Sequence, residues 1–157
     1  MRIDEQAFAR VADLIARDLT ATLGWKPSMA QAEARDALGN QAASLPTRLA
    51  WEDLAPATQR DVLGEVVVAA VEQLQQFVHD TFVDTSWPPC LRHPTHPMWP
   101  GEGDGGGMVW WCAREQAALA PLGGPAWHRA AAWRAALNDR GLPRYKTAGG
   151  AAQPATA

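Results

Sequence analysis

Both cysteines of this 157-residue chain bound one stretch, Cys90 to Cys112, and two of its four histidines, His93 and His96, lie between them. The spacing is C-x2-H-x2-H-x15-C. Zinc takes thiolate sulfur and imidazole nitrogen tetrahedrally, and a structural site uses four protein ligands. Cys90, His93, His96 and Cys112 therefore read as a Cys2His2 zinc site. Cys90 and His93 have the two-residue separation of a knuckle, His96 follows three residues on, and Cys112 returns from a later segment to close the set. Pro94 and Pro97 follow the two histidines and stiffen the loop that carries them. Trp87, Trp99, Trp110 and Trp111 are placed to wall the site from water. Two alternatives remain: a metal-free stretch of two buried thiols, with His93 and His96 capping turns in a proline-rich loop, and a partial or open metal site. His79 and His128 fall on predicted helices and read as surface or interface histidines.

These residues need a frame, and the sequence supplies a mainly α one of three to four helices. The first helix is expected over 4–23, with Asp4 as N-cap, an Ile3–Phe8 hydrophobic staple and Gly24 as the left-handed stop. Phe8, Val11, Ile15, Leu19 and Leu23 recur along one face of it. Ser28 and Gln31 form the capping-box pattern S-x-x-Q, which starts a second, alanine-rich helix that Gly39-Asn40 should end near Leu38. A connector over 45–54 places Trp51 at the core edge. The longest element is a helix over 56–82, with Pro56 in its first turn and Leu63, Val66, Val67, Ala70, Leu74, Phe77, Val78 and Thr81 facing the core.

From Asp84 onward the character changes. Five prolines between Pro88 and Pro100 deny this segment a regular ladder, so something else must organise it. The Gly-rich run 101–107 is expected to be a flexible loop; it is acidic and lacks the Lys-Ser/Thr of a phosphate cradle. Met108 to Cys112 and 117–122 should form a two-stranded hairpin, which is marginal alone and needs support. A last helix is expected over 125–139, packing back on the rest, and residues 142–157 should be a disordered tail. The organisation is then a helical domain (1–84), a zinc loop with hairpin (85–123), a C-terminal helix (124–141) and the tail.

The stretch 87–123 resembles a zinc-ribbon or zinc-knuckle module, in which a knuckle loop and a β-hairpin share one ion. Ribbons carry two C-x2-C pairs, whereas Cys112 here is followed by Ala-Arg-Glu. The resemblance implies a structural metal rather than a reaction.

Net charge is −3, divided as −6 over residues 1–84 and +3 over 85–157. No apolar run is long enough for a membrane span. No basic, then apolar, N-terminal signal is present. The expected location is therefore cytoplasmic, where two cysteines serve as thiols or ligands rather than a disulfide. These features favour a non-enzymatic interaction or assembly protein stabilised by Zn2+. The tryptophans near the site, with Arg92 and Arg114, would meet a protein partner or a second copy of the chain. The alternative is a nucleic-acid-binding accessory protein or regulator. It would use Arg92, Arg114, Arg129, Arg134, Arg140, Arg144 and Lys146, with tryptophans stacking on bases. A zinc hydrolase would need a base such as Glu102, Asp104 or Glu115, or a Cys112–His93 nucleophile pair. No H-E-x-x-H motif accompanies them.

Overall fold

The computed structural model describes residues 4–45, 51–81, 86–93 and 95–124. The staple residue Ile3, the expected helix over 125–139 and the tail over 142–157 lie outside them. Among the described residues the order is α1 (Glu5–Leu23), α2 (Pro27–Ser44), a 3-10 turn (Trp51–Asp53), α3 (Pro56–Thr81), β1 (Trp99–Glu102), β2 (Met108–Cys112) and β3 (Ala117–Pro121). None of these helices is long and apolar enough to cross a membrane.

Helix α1 starts and stops where its local chemistry dictates. The Asp4 carboxylate accepts from the Ala7 N–H at 2.8 Å. Gly24 takes φ 68° and donates its N–H to the Thr20 carbonyl at 3.1 Å. Such a left-handed residue favours glycine because any Cβ is crowded there.

Helix α2 departs from expectation at both ends. It begins at Pro27 with Lys26 as an N-cap that makes no side-chain cap bond. The Ser28–Gln31 box does not form, because the proline already fixes the first turn and Gln31 Nε2 donates to Asp13 Oδ1 of α1 at 2.8 Å. The helix also runs through Gly39 and Asn40 to Ser44. Packing overrides the weak stop signal: Ala42 and Leu45 lie against the core beyond it, and Gln41 Nε2 donates to Gln73 Oε1 of α3 at 3.0 Å.

Helix α2 packs against both α1 and α3, and α3 packs against β1. Ala30, Ala34, Ala37 and Leu38 of α2 are buried, and alanines at helical spacing allow the close approach. Val66, Val67, Ala70, Val71, Leu74 and Val78 form the buried face of α3. Phe77 lies at its margin, 41% exposed, with its ring edge-on to Trp25. Trp51 is buried, outside the main core cluster.

The sheet has three antiparallel strands in the order β1-β2-β3, not the two of the expected hairpin. Pairing of Trp99 with Trp111 and of Glu102 with Met108 sets the register of the extra strand. Its Pro100 is tolerated because β1 is an edge strand, where a missing N–H breaks no central ladder. The glycine run is correspondingly ordered. Gly101 belongs to β1, and the turn closes through Gly103 N to Gly107 O and Gly106 N to Gly103 O, both 2.8 Å. The sheet does not stand off the helices. Trp87, Cys90, Met98, Trp110, Cys112, Ala120 and Leu122 belong to the same core cluster as Ile15, Leu19, Leu38 and Val71.

Candidate metal centre

The segment from Ser86 to Met98 is a closed loop clamped by main-chain bonds. Pro89 and Pro97 form a β-bridge. Met98 N donates to Pro88 O at 2.8 Å, Cys90 N to His96 O at 3.0 Å, and His96 N to His93 O at 3.2 Å. Gln75 of α3 reaches the loop and donates to the Met98 carbonyl at 2.7 Å. The N–H groups of Cys90, His96 and Met98 thus hold the loop shut. This turns Cys90, His93 and His96 to one point.

Cys112 reaches the same point from the end of β2. Strand alternation places Trp110 and Cys112 on one face, and both are fully buried. The register between β2 and β3 shifts at Trp110/Trp111, just before the ligand, with Leu119 of β3 as the extra residue.

One ligand atom from each of Cys90, His93, His96 and Cys112 lies within 4.8 Å of every other. His93 Nδ1 is 3.7 Å from Cys90 Sγ and 3.6 Å from Cys112 Sγ. His96 Nε2 is 3.8 Å from Cys112 Sγ. Zinc–sulfur and zinc–nitrogen bonds set at the tetrahedral angle give an S···N edge of about 3.6 Å. Three measured edges are thus already close to those of a coordinated ion. The two imidazoles stack, with centroids 5.5 Å apart and planes at 23°.

The surroundings match what ligands require. The backbone N–H groups of Arg92 and His93 donate to the Cys90 sulfur, as in a metal knuckle. Burial pushes the Cys90 thiol upward and the adjoining Cys112 thiol adds to this, while those two N–H groups oppose it. A metal-free pocket therefore holds Cys90 as a thiol at neutral pH, and binding must expel that proton. His96 Nδ1 lies 2.8 Å from the Pro97 carbonyl, so Nδ1 carries the proton and Nε2 turns its lone pair to the cluster. Behind His93, Nε2 lies 3.6 Å from Glu115 Oε1. Glu115 is itself ion-paired with Arg92.

The remaining candidates separate by burial. Trp87 and Trp110, expected to face a partner, are interior: they meet edge-on at 5.7 Å, and each indole N–H is held inside. Trp87 Nε1 donates to Thr22 Oγ1 at 2.8 Å. Trp110 Nε1 donates to Asp18 Oδ2 at 2.7 Å. Trp111 is half-buried, its ring lying where a Cβ on Gly101 would stand 2.6 Å from Cδ1. Trp99 is at the surface, 44% exposed. Arg92 is tied to Glu115, and Arg114 is exposed. The other five cations of the nucleic-acid reading lie outside the described residues.

Glu102, one of the alternative bases, pairs with Met108, four residues before Cys112. At about 3.3 Å per residue that is about 13 Å from the cluster. Asp104 lies in the hairpin turn beyond it. Cys112, His93 and Glu115 are aligned as a thiol–imidazole–carboxylate series. The sulfur is fully buried, however, and a second thiol shares its position, so the alignment serves ligation better than attack on a substrate.

Sequence reasoning did not find Asp18 and Thr22, which are buried polar residues on α1. The signal was present: they fall at i+3 and i+7 from Ile15, on the apolar stripe itself. It also missed Glu115 as a neighbour of His93, since nothing in the spacing brings residue 115 to residue 93.

The fold and site together define a mainly helical protein with a three-stranded sheet and a Cys2His2 cluster that could hold a metal ion. Comparison with protein-family models, with curated proteins and with solved structures finds no match. What the chain does must therefore be argued from the site.

Proposed function

We propose that the cluster binds one structural Zn2+, and that the protein acts without catalysis, as an interaction or assembly component whose surface is shaped by the metal loop. One observation carries this reading: four protein ligand atoms converge, the two sulfurs buried and the two imidazoles half-buried, with the Pro97 carbonyl bonded to His96 Nδ1 and the Glu115 carboxylate facing His93 Nε2. Catalytic zinc keeps a position open for water or substrate. Here the fourth corner belongs to a protein ligand. The carboxylate nearest the site stands behind His93, not at a free corner.

The interaction role is supported by Trp99, the most exposed large apolar side chain among the described residues. It follows the ligand loop directly and lines a shallow groove with Pro97, Gln76 and His79. Tryptophans in such settings are frequent anchors of protein interfaces.

The deciding experiment is elemental analysis of the purified protein, with thiol titration before and after chelation, followed by Co2+ substitution. The expected result is one zinc per chain, both thiols masked until the chelator is added, and a tetrahedral Co2+ spectrum unmoved by azide or cyanide. Two freely reactive thiols and no metal would sink the structural-zinc reading. A Co2+ spectrum that shifts on adding these anions would point to an open, catalytic position instead.

A further inference from the structure

The two histidines approach the cluster through different nitrogens, His93 by Nδ1 and His96 by Nε2. A neutral imidazole carries one proton. The nitrogen that does not ligate must donate it, and the group that accepts it fixes the tautomer. For His96 that acceptor is the Pro97 carbonyl at 2.8 Å. For His93 the group facing Nε2 is the Glu115 carboxylate at 3.6 Å, just outside hydrogen-bond range.

We propose that Glu115, held in place by Arg92, is a positioning residue of the metal centre: it accepts the His93 Nε2 proton and so commits His93 to ligation through Nδ1. This rests on the zinc reading above and adds two residues to the site. Three observations support it. Arg92 precedes His93 in the knuckle, while Glu115 lies in the β2–β3 turn three residues after Cys112, so their ion pair joins the two segments that carry the ligands. The turn itself is built to hold Glu115: Gln116 takes φ 53° and its Nε2 donates to Ala113 O at 2.7 Å. The charges also balance in pairs. Two thiolates neutralise the ion, and Arg92 neutralises Glu115, so the carboxylate provides an acceptor without adding net charge.

A plain surface ion pair makes a different prediction. An exposed ion pair adds little to stability, and one with no link to the ligands would leave metal affinity unchanged. The test is zinc affinity by competition with a chromophoric chelator, together with 15N spectra of the histidine rings, on wild type, Glu115→Ala, Glu115→Gln and Arg92→Met. Glu115→Ala should bind zinc about 10- to 100-fold more weakly and lose the protected His93 Nε2–H signal, with His96 unchanged. Glu115→Gln keeps a neutral acceptor and should fall between it and wild type. Arg92→Met should weaken binding in the same direction as Glu115→Ala.

The proposal is overturned if Glu115→Ala, folded by circular dichroism, holds zinc as tightly as wild type, or if His93 ligates through Nε2. A wild-type protein that binds no zinc overturns the zinc reading and this proposal together. Zinc binding that is insensitive to residue 115 overturns this proposal alone.

Discussion

Replacing Asp18 with alanine should be among the most damaging single changes in the described chain, although Asp18 lies outside the metal cluster. It is fully buried in α1. Its Oδ2 accepts from the Trp110 indole at 2.7 Å and from the Gly123 N–H at 2.8 Å. One donor belongs to β2, two residues before Cys112, and the other to the turn after β3, so one side chain fastens the sheet to the helices. A hydrogen bond to a charged group contributes about 1.5–3 kcal/mol, and the truncation leaves one buried and one half-buried donor without this acceptor. The expected loss is therefore about 3–6 kcal/mol, a large share of the roughly 5–15 kcal/mol that holds a domain folded. At this chain length each kcal/mol lowers the melting temperature by about 2–4 °C, so the shift should be on the order of 10 °C or more. Urea unfolding followed in parallel by far-UV circular dichroism and tryptophan fluorescence measures it. Asp18→Asn retains one carbonyl oxygen and should cost less than the alanine variant. A loss below about 1 kcal/mol in Asp18→Ala, no more than one ordinary hydrogen bond, would refute the idea that this carboxylate ties sheet to helix.

Three further outcomes follow from the same structure. Cys112→Ser should abolish stoichiometric zinc and speed hydrogen exchange in residues 86–98 and 108–121, while α1, α2 and α3 keep their protection through mutual packing; complete loss of the helical dichroism signal would contradict this. In the chelated protein, the Cys90 thiol sits above its ordinary value of 9.0, chiefly through burial. The unfolded chain therefore ionises first as pH rises, the folded state holds the extra proton, and stability must fall with increasing pH above about 9. Urea titrations across that range should show the decline and Cys90→Ala should flatten it, whereas zinc affinity should rise with pH until both thiols are ionised. Finally, two glycines should respond oppositely to alanine. Gly123 has φ +67° and a Cβ there would meet Leu14 Cδ2 at 2.5 Å and Leu14 Cα at 2.8 Å, so Gly123→Ala should be destabilising by about 1–3 kcal/mol. A Cβ on Gly64, inside α3, meets nothing within 4 Å, so Gly64→Ala should stabilise by up to about 1 kcal/mol in thermal unfolding.

What was legible in the sequence is what local chemistry decides. Asp4 and Gly24 bound α1 because a cap needs only its own turn. The cluster was legible because ligand types are few and the loop between Cys90 and His96 is short. Elements decided by distant partners were not. Helix α2 passes through Gly39 because residues beyond that glycine pack on the core. Strand β1 contains Pro100 and Gly101, which read as irregular until Met108 to Trp111 arrive as its partner. The same holds for side chains. Trp87 and Trp110 looked available to a partner, yet their indole donors are satisfied by Thr22 and Asp18, residues 65 and 92 positions away.

Those two tryptophans also show why a metal would sit where the cluster is. Trp110 and Cys112 share one face of β2, two residues apart. At Trp110, helix α1 is close enough for a carboxylate to hold the strand from within. At Cys112 the facing partner is the loop from Ser86 to Met98, which has only a single β-bridge and a few main-chain bonds. The ends of that loop are anchored on the helices, through the Trp87 indole on Thr22 and the Met98 carbonyl on Gln75, while His93 and His96 between them are half-buried. An ion coordinated by Cys90, His93, His96 and Cys112 would connect the middle of that loop to the strand in four bonds, at the edge of the core to which both cysteines belong. Its contribution should therefore be local: it fixes the loop, the β2–β3 turn and the position of Trp99 beside them, while the helices keep the stability of their own packing.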